Sequence, residues 1–231
     1  MSKIIILGIS ASPRHGNTEA LVKEALMGAA EVEGVQTKFI GLAGRKINPC
    51  KGCVNICHHA ITEAKPEKIV DRPWHLCPQK DVMHEVWDAL VEADGIILGT
   101  PVYYGEVSAQ LKAIMDRCTS LARIMADGTI KPELKYKVGG AIAVAGCRNG
   151  GQERALTTIV HFFMFQQMFP VGLPEVEDQA WGVAGCGNNP GDVLKDKWAS
   201  WFGKEVNSVD NARKLGKSVV TVAREIKGKL I

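Results

Sequence analysis

Two kinds of apolar pattern alternate along the chain. Continuous runs at 4–7 (IIIL), 95–100 (GIILGT) and 137–146 (KVGGAIAVAG) have no polar face and predict buried, parallel strands. VQTKFIGL at 35–42 predicts a strand by alternation, and MFPVGLPEV at 168–176 a fifth. Between them the apolar residues fall on helical spacing. They do so at 21, 22, 25, 26, 29 and 30, and again at Val82, Val86, Ala89, Leu90 and Ala93, with Asp81 as a cap. One long amphipathic helix is expected over 107–125 and another over 153–168. Residues 178–192 predict irregular, glycine-rich chain, followed by helices at about 193–203 and 208–227. Strand and helix in alternation predict an α/β doubly wound parallel sheet of five strands with helices on both faces.

The pattern fails in one place. From about 44 to 80 no period is sustained, and four of the seven cysteines (Cys50, Cys53, Cys57, Cys77) fall there. An irregular stretch this long inside a compact domain carries a function more often than not. The expected organisation is one domain over 1–231, with a cysteine-rich insertion at about 44–80 and a C-terminal helical extension at about 178–231.

Composition narrows the partners. With 46% hydrophobic and 23% charged residues and a formal net charge of +3, the chain is expected to bind neither nucleic acid nor membrane. It opens directly into its first strand and has an odd number of cysteines, so a cytoplasmic protein with reduced thiols is expected.

The loop after the first strand, Ser10 to Thr18, replaces the glycines of the dinucleotide fingerprint with hydroxyls and has no Walker lysine. It leads straight into a helix N-terminus, which offers backbone N–H groups and a positive dipole end to an anion. Ser10, Ser12, Asn17 and Thr18 add side-chain hydrogen bonds and Arg14 adds charge, a set suited to a terminal monophosphate such as that of FMN. The plainer alternative is a serine-rich turn. After the third strand come Pro101, Val102, Tyr103, Tyr104 and Gly105, which offer flat aromatic faces and a tight turn beside a flavin ring; the plainer alternative is that both tyrosines pack the corner between strand and helix. After the fourth come Gly146, Arg148, Gly150 and Gly151, whose N–H groups suit the pyrimidine edge, with Arg148 facing charge on the reduced ring; the alternative is a glycine turn that only caps the strand.

S-x-S-P-R-x-G-N-T, P-V-Y-Y-G-x-V-S-A-Q-L-K-A-x-x-D-R and R-x-G-G-Q-E together resemble the flavodoxin-like NAD(P)H-dependent FMN reductase family over roughly residues 3–172. The resemblance implies strand order 2-1-3-4-5, with the loops after strands one and three at the topological switch point. It implies FMN, with Ser10, Ser12, Arg14, Asn17 and Thr18 at the phosphate and Pro101, Tyr103, Tyr104 and Gly105 along the ring. It also implies a homodimer or homotetramer, NAD(P)H as a possible donor, and chemistry carried by the cofactor without a catalytic side chain. C-x-G-C at 50–53 with a later cysteine four residues before Asp81 resembles the iron–sulfur flavoprotein branch, in which such cysteines hold a [4Fe–4S] cluster. Two spacings depart from that motif: three residues separate Cys53 from Cys57, and nineteen separate Cys57 from Cys77. The extra loop length costs only about 1.5 kcal/mol against metal–thiolate binding on the order of ten. The four thiolates also suit zinc, with His58, His59 or His75 able to replace one, or a motif that binds nothing.

The expectation is therefore an FMN-binding oxidoreductase of iron–sulfur flavoprotein type, passing electrons between cluster and flavin and exchanging them with a small-molecule or protein partner. The alternatives are an FMN or quinone reductase without a cluster, and a flavodoxin-like electron carrier.

Overall fold

The computed structural model describes residues 3–53, 77–124, 130–173, 181–199, 203 and 205–230. Cys57, His58, His59 and His75 lie outside them. Strand β1 (Ile4–Ser10) leads through a polar loop to α1 (Asn17–Ala30) and β2 (Val35–Gly41). After the cysteine-bearing segment come α2 (Met83–Glu92), β3 (Gly95–Pro101) and α3 (Ala109–Arg117). A short antiparallel pair, β4 (Ala122–Ile124) and β5 (Ile130–Pro132), precedes β6 (Val138–Ala145), α4 (Gln152–Phe165) and β7 (Phe169–Val171). Last come β8 (Val183–Cys186), the hairpin β9 (Lys197–Ala199) and β10 (Glu205–Asn207), and α5 (Ser208–Leu230).

The main sheet is wholly parallel, in order β2-β1-β3-β6 with a fifth place that two strands share. There β7 pairs with Val138–Gly140 of β6 and β8 with Ile142–Ala145. Counting places, the order is the expected 2-1-3-4-5. Side chains alternate between the two faces, as a period of two requires. Leu7, Ile9, Ile96, Leu98, Ala141 and Ala143 point into the core under α2, α3 and α4. Ile4, Ile6, Ile97, Val138, Ile142 and Val144 point into the core under α1 and α5. The two helices of that second face approach unusually closely. A Cβ on Gly28 would lie 2.3 Å from the Arg213 carbonyl oxygen, and one on Gly216 would lie 1.9 Å from that of Ala25.

Four sequence expectations are corrected. The helix expected over 107–125 ends at Arg117, because Thr119 Oγ1 and Ser120 Oγ donate to the carbonyls of Asp116 and Arg117 and close its last turn. The chain then passes through a 3₁₀ turn, Cys118–Leu121, into β4. The stretch 178–192 contains a sheet strand, β8; its glycines permit close approach, since a Cβ on Gly182 would lie 2.3 Å from the Ala141 carbonyl oxygen. In place of a helix at 193–203 there is a 3₁₀ turn (Asp192–Lys195) followed by β9. Asp196 fixes that path by accepting from the Cys186 N–H at 2.9 Å and the Ser208 hydroxyl at 2.6 Å. The last helix runs to Leu230 rather than 227.

Candidate functional site

At the carboxyl ends of β1, β3 and β6 lies an open cleft of about 220 Å³. Its floor is the loop into α1. Ser12 Oγ donates to the Arg14 carbonyl at 2.7 Å and accepts the Arg14 N–H at 3.2 Å, so the loop holds its own shape. No side chain caps α1, and its first-turn N–H groups, which have no intrahelical acceptor, open toward the cleft. Thr18 is buried at the cleft wall and Arg14 is exposed at its lip. Glu19, an acid close to this positive end, is engaged by Lys23 and by His15 Nδ1 at 2.8 Å. Burial pushes its carboxyl up, but those two partners outweigh it and hold the pKa below the usual value.

Asn17 plays a different part from the other polar residues. Its Nδ2 donates to the carbonyls of Gly187 and Asn189, both at 2.9 Å, while Oδ1 accepts the Gly191 N–H at 2.8 Å and faces that of Val193 at 3.4 Å. The carboxamide is spent on a loop about 170 positions later in the chain, so Asn17 offers the cleft its backbone. That loop, with Gly187, Asn188 and Pro190, forms a wall absent from the sequence expectation. Its only signal was the turn-forming run GNNP after the tetrad VAGC.

Pro101, Val102 and Tyr103 line the opposite side. Tyr103 and Glu106 exchange two backbone hydrogen bonds of 3.0 Å around a tip where Tyr104 (φ 51°) and Gly105 (φ 76°) are both left-handed. Tyr104 is fully exposed and neither it nor Gly105 lines the cleft. The Glu106 carboxylate ties this loop to α4, accepting from Arg154 Nε at 2.6 Å and Thr158 Oγ1 at 3.0 Å. Of the fourth-strand loop, Gly146 lines the cleft, while Gly151 packs against Gly105 and Gly150 donates to Gln152. Arg148 turns away: its guanidinium pairs with Asp196 at 2.5 Å and stacks 3.7 Å from the Trp198 ring centroid. Ser10 lies buried at the end of β1 below the cleft, its Oγ unpartnered among the described residues.

A second cavity, of about 200 Å³, lies at the other end of α3 and is lined by Cys50, Cys53 and Cys77 together with Trp87 and Arg117. Cys50 is exposed, Cys53 half-buried and Cys77 buried. Arg117, 3% exposed, donates to Asp81 Oδ2 at 2.6 Å, to the Asn48 carbonyl at 3.2 Å and to Cys77 Sγ at 3.6 Å. Asp81 also accepts the N–H groups of Asn48 (2.8 Å) and Met83 (3.1 Å). Burial opposes the Asp81 charge, but Arg117 and these N–H groups outweigh it and hold its pKa below the usual carboxylate value. Two buried donors on residues that line this cavity, Arg117 Nε and Trp87 Nε1, have no acceptor among the described residues.

The family model described as NADPH-dependent FMN reductase matches residues 4–181. The chain belongs to that family. An iron–sulfur flavoprotein of Methanocaldococcus jannaschii is 43% identical over 223 residues, covering 96% of this chain and 98% of the relative. Another from Archaeoglobus fulgidus is 41% identical over 167 residues, 72% of this chain and 75% of the relative. These relatives place the chain in the iron–sulfur flavoprotein branch. Among solved structures, RosB superposes with a TM-score of 0.67 at 13% identity, covering 99% of this chain and 82% of that one. A WrbA-like flavodoxin from Agrobacterium tumefaciens superposes with a TM-score of 0.57 at 17% identity, covering 97% and 99%. At such identities the likeness shows the fold, which is flavodoxin-like.

As a member of this FMN reductase family the chain is an FMN-dependent oxidoreductase. Its cleft fits the phosphate, since an uncapped helix N-terminus, Thr18 and the Arg14 charge line it, while the Ser12 hydroxyl is spent on the loop itself. The cysteine cavity fits a sulfur-rich anion, with three thiols and a buried cation around one space, although no three His, Cys, Asp or Glu of the described residues already form a metal-binding group. No helix among the described residues is long and apolar enough to cross a membrane.

Proposed function

We propose that this family member moves electrons between a [4Fe–4S] cluster held by Cys50, Cys53, Cys57 and Cys77 and an FMN held in the cleft, as a homo-oligomer that meets its donor and acceptor in the cytoplasm. When bound, the flavin supplies hydride uptake at N5 and electron release singly or in pairs, and the cluster supplies single-electron exchange. The supporting observation is that a single helix joins the two sites. The N-cap of α3, Ser108, accepts the Leu111 N–H at 3.1 Å, and its own N–H donates at 2.9 Å to Thr100 Oγ1, whose neighbour Pro101 lines the cleft. Its last residue, Arg117, lines the cysteine cavity. Nine residues at 1.5 Å each span roughly 13 Å, a short distance for electron transfer through protein.

In this reading the α1 N-terminus, Thr18 and Arg14 hold the phosphate, while Ser12, whose hydroxyl proton is spent on the Arg14 carbonyl, shapes the loop. Pro101, Val102, Tyr103 and Gly146 flank the ring, with Tyr104, Gly105, Gly150 and Gly151 shaping the loops behind them. Arg148 acts from behind the wall, through Asp196 and Trp198, rather than on the ring. NAD(P)H is the proposed donor on the open side. The exposure of Cys50 and the ungrouped thiols favour a second reading, an FMN or quinone reductase whose cysteine loop is structural. Anaerobic purification with iron, acid-labile sulfide and flavin measured on one sample separates the two. Four irons and one FMN per chain are expected, and flavin without iron leaves the second reading.

A further inference from the structure

Among the described residues, two side chains that line the cysteine cavity keep unspent hydrogen-bonding capacity. A buried N–H without an acceptor costs about 1–3 kcal/mol, so a native fold rarely keeps one without a use. Here two donors without an acceptor among the described residues, Arg117 Nε and Trp87 Nε1, belong to side chains that line one space of about 200 Å³ together with three cysteines. They are coupled: the Arg117 guanidinium lies 5.2 Å from the Trp87 ring centroid, and Trp87 is fully buried. The guanidinium is held rigidly, one nitrogen on Asp81 and the Asn48 carbonyl, another on Cys77 Sγ, so Nε cannot swing away to find water. An arrangement with one fixed cation and two fixed donors, walled by thiols, suits a guest that presents several sulfur acceptors and net negative charge.

We propose that Arg117 and Trp87 tune the group held by Cys50, Cys53 and Cys77: their two unspent N–H groups bond to its sulfurs, and with the Arg117 charge they raise its reduction potential. This rests on the iron–sulfur reading above and adds to it two residues outside the cysteine motif. Hydrogen bonds to cluster sulfurs and nearby positive charge favour the more negative, reduced state, which is why both move the potential upward. Asp81 works in the opposite direction. Its carboxylate positions Arg117 and also offsets part of the guanidinium charge.

The test is the midpoint potential of the full-length, anaerobically purified protein, read by EPR-monitored redox titration, with FMN and iron per chain measured on each sample. Trp87→Phe removes one donor and keeps an aromatic ring; Arg117→Gln removes charge and the second donor. Both should move the potential downward at unchanged FMN content. Arg117→Lys keeps the charge without Nε and should fall between Arg117→Gln and wild type. Asp81→Asn leaves the guanidinium uncompensated and should move the potential upward. A purely structural network would shift Arg117→Gln and Asp81→Asn in the same direction, or change iron content without moving the potential; either result overturns the proposal. If Arg117→Gln loses iron, Trp87→Phe decides, and a wild-type potential there overturns it. Wild-type protein that binds FMN but no iron ends the cluster reading itself, and so fails in a distinguishable place.

Discussion

At the scale of single residues, two neighbours on the same loop have opposite jobs. Arg14 is exposed at the cleft lip and its side chain forms none of the loop's internal bonds, so Arg14→Ala should weaken FMN on the order of tenfold and leave riboflavin almost unchanged. Isothermal titration with both ligands checks this, and equal losses would remove Arg14 from the phosphate. Asn17 is bound on both ends of its carboxamide to the 187–193 loop. Asn17→Ala should therefore cost about 1–2 kcal/mol in urea denaturation and weaken FMN and riboflavin alike, because it loosens a wall. The sequence could show that both residues were polar and near a helix start. It could not show which partner each would find, since the partners of Asn17 and of Arg148 lie in segments with no periodic signal.

At the scale of elements, most of the sheet was legible because its strands are buried on both faces and therefore apolar along their whole length. The fifth place was only half legible: β8 is a four-residue strand in which Gly185, like Gly182 just before it, serves packing, and glycine in a sequence signals a turn. The end of α3 escaped because Thr119 and Ser120 close it by hydrogen bonds to backbone without interrupting the apolar spacing. A second helix end is closed by Lys137, whose Nζ donates to the Val91 carbonyl at 2.8 Å and that of Ala93 at 2.5 Å. Burial pushes its pKa down from 10.5 to about 8. The folded chain then binds fewer protons than the unfolded one between those values, so this group adds stability as pH rises from about 8 to 10.5 and loses it as pH falls back. The stability difference between wild type and Lys137→Met should grow over that window. A difference that stays flat with pH would show the amine to be charged throughout.

At the scale of the whole molecule, the C-terminal end of α4 and its neighbours expose an apolar strip: Phe165 is 85% exposed, Met164 61%, and Tyr136 stacks on Phe169 with centroids 6.2 Å apart. Contiguous apolar surface of this kind favours self-association. Light scattering at micromolar concentration is expected to give a multiple of the 25.0 kDa chain mass, reduced by Met164→Glu with Phe165→Glu. A wild type already at single-chain mass removes the oligomer from the reading. The reach of Asn17 has a consequence for how the protein is made. A ribosome delivers residue 17 long before residue 193, and the cleft lacks the wall formed by Gly187, Asn188 and Pro190, and α1 its partner α5, until the last part of the chain has emerged. Loading of the cofactor should thereby be deferred to the end of synthesis, so a nascent chain stalled before β8 is expected to carry no flavin at FMN concentrations that saturate the finished protein.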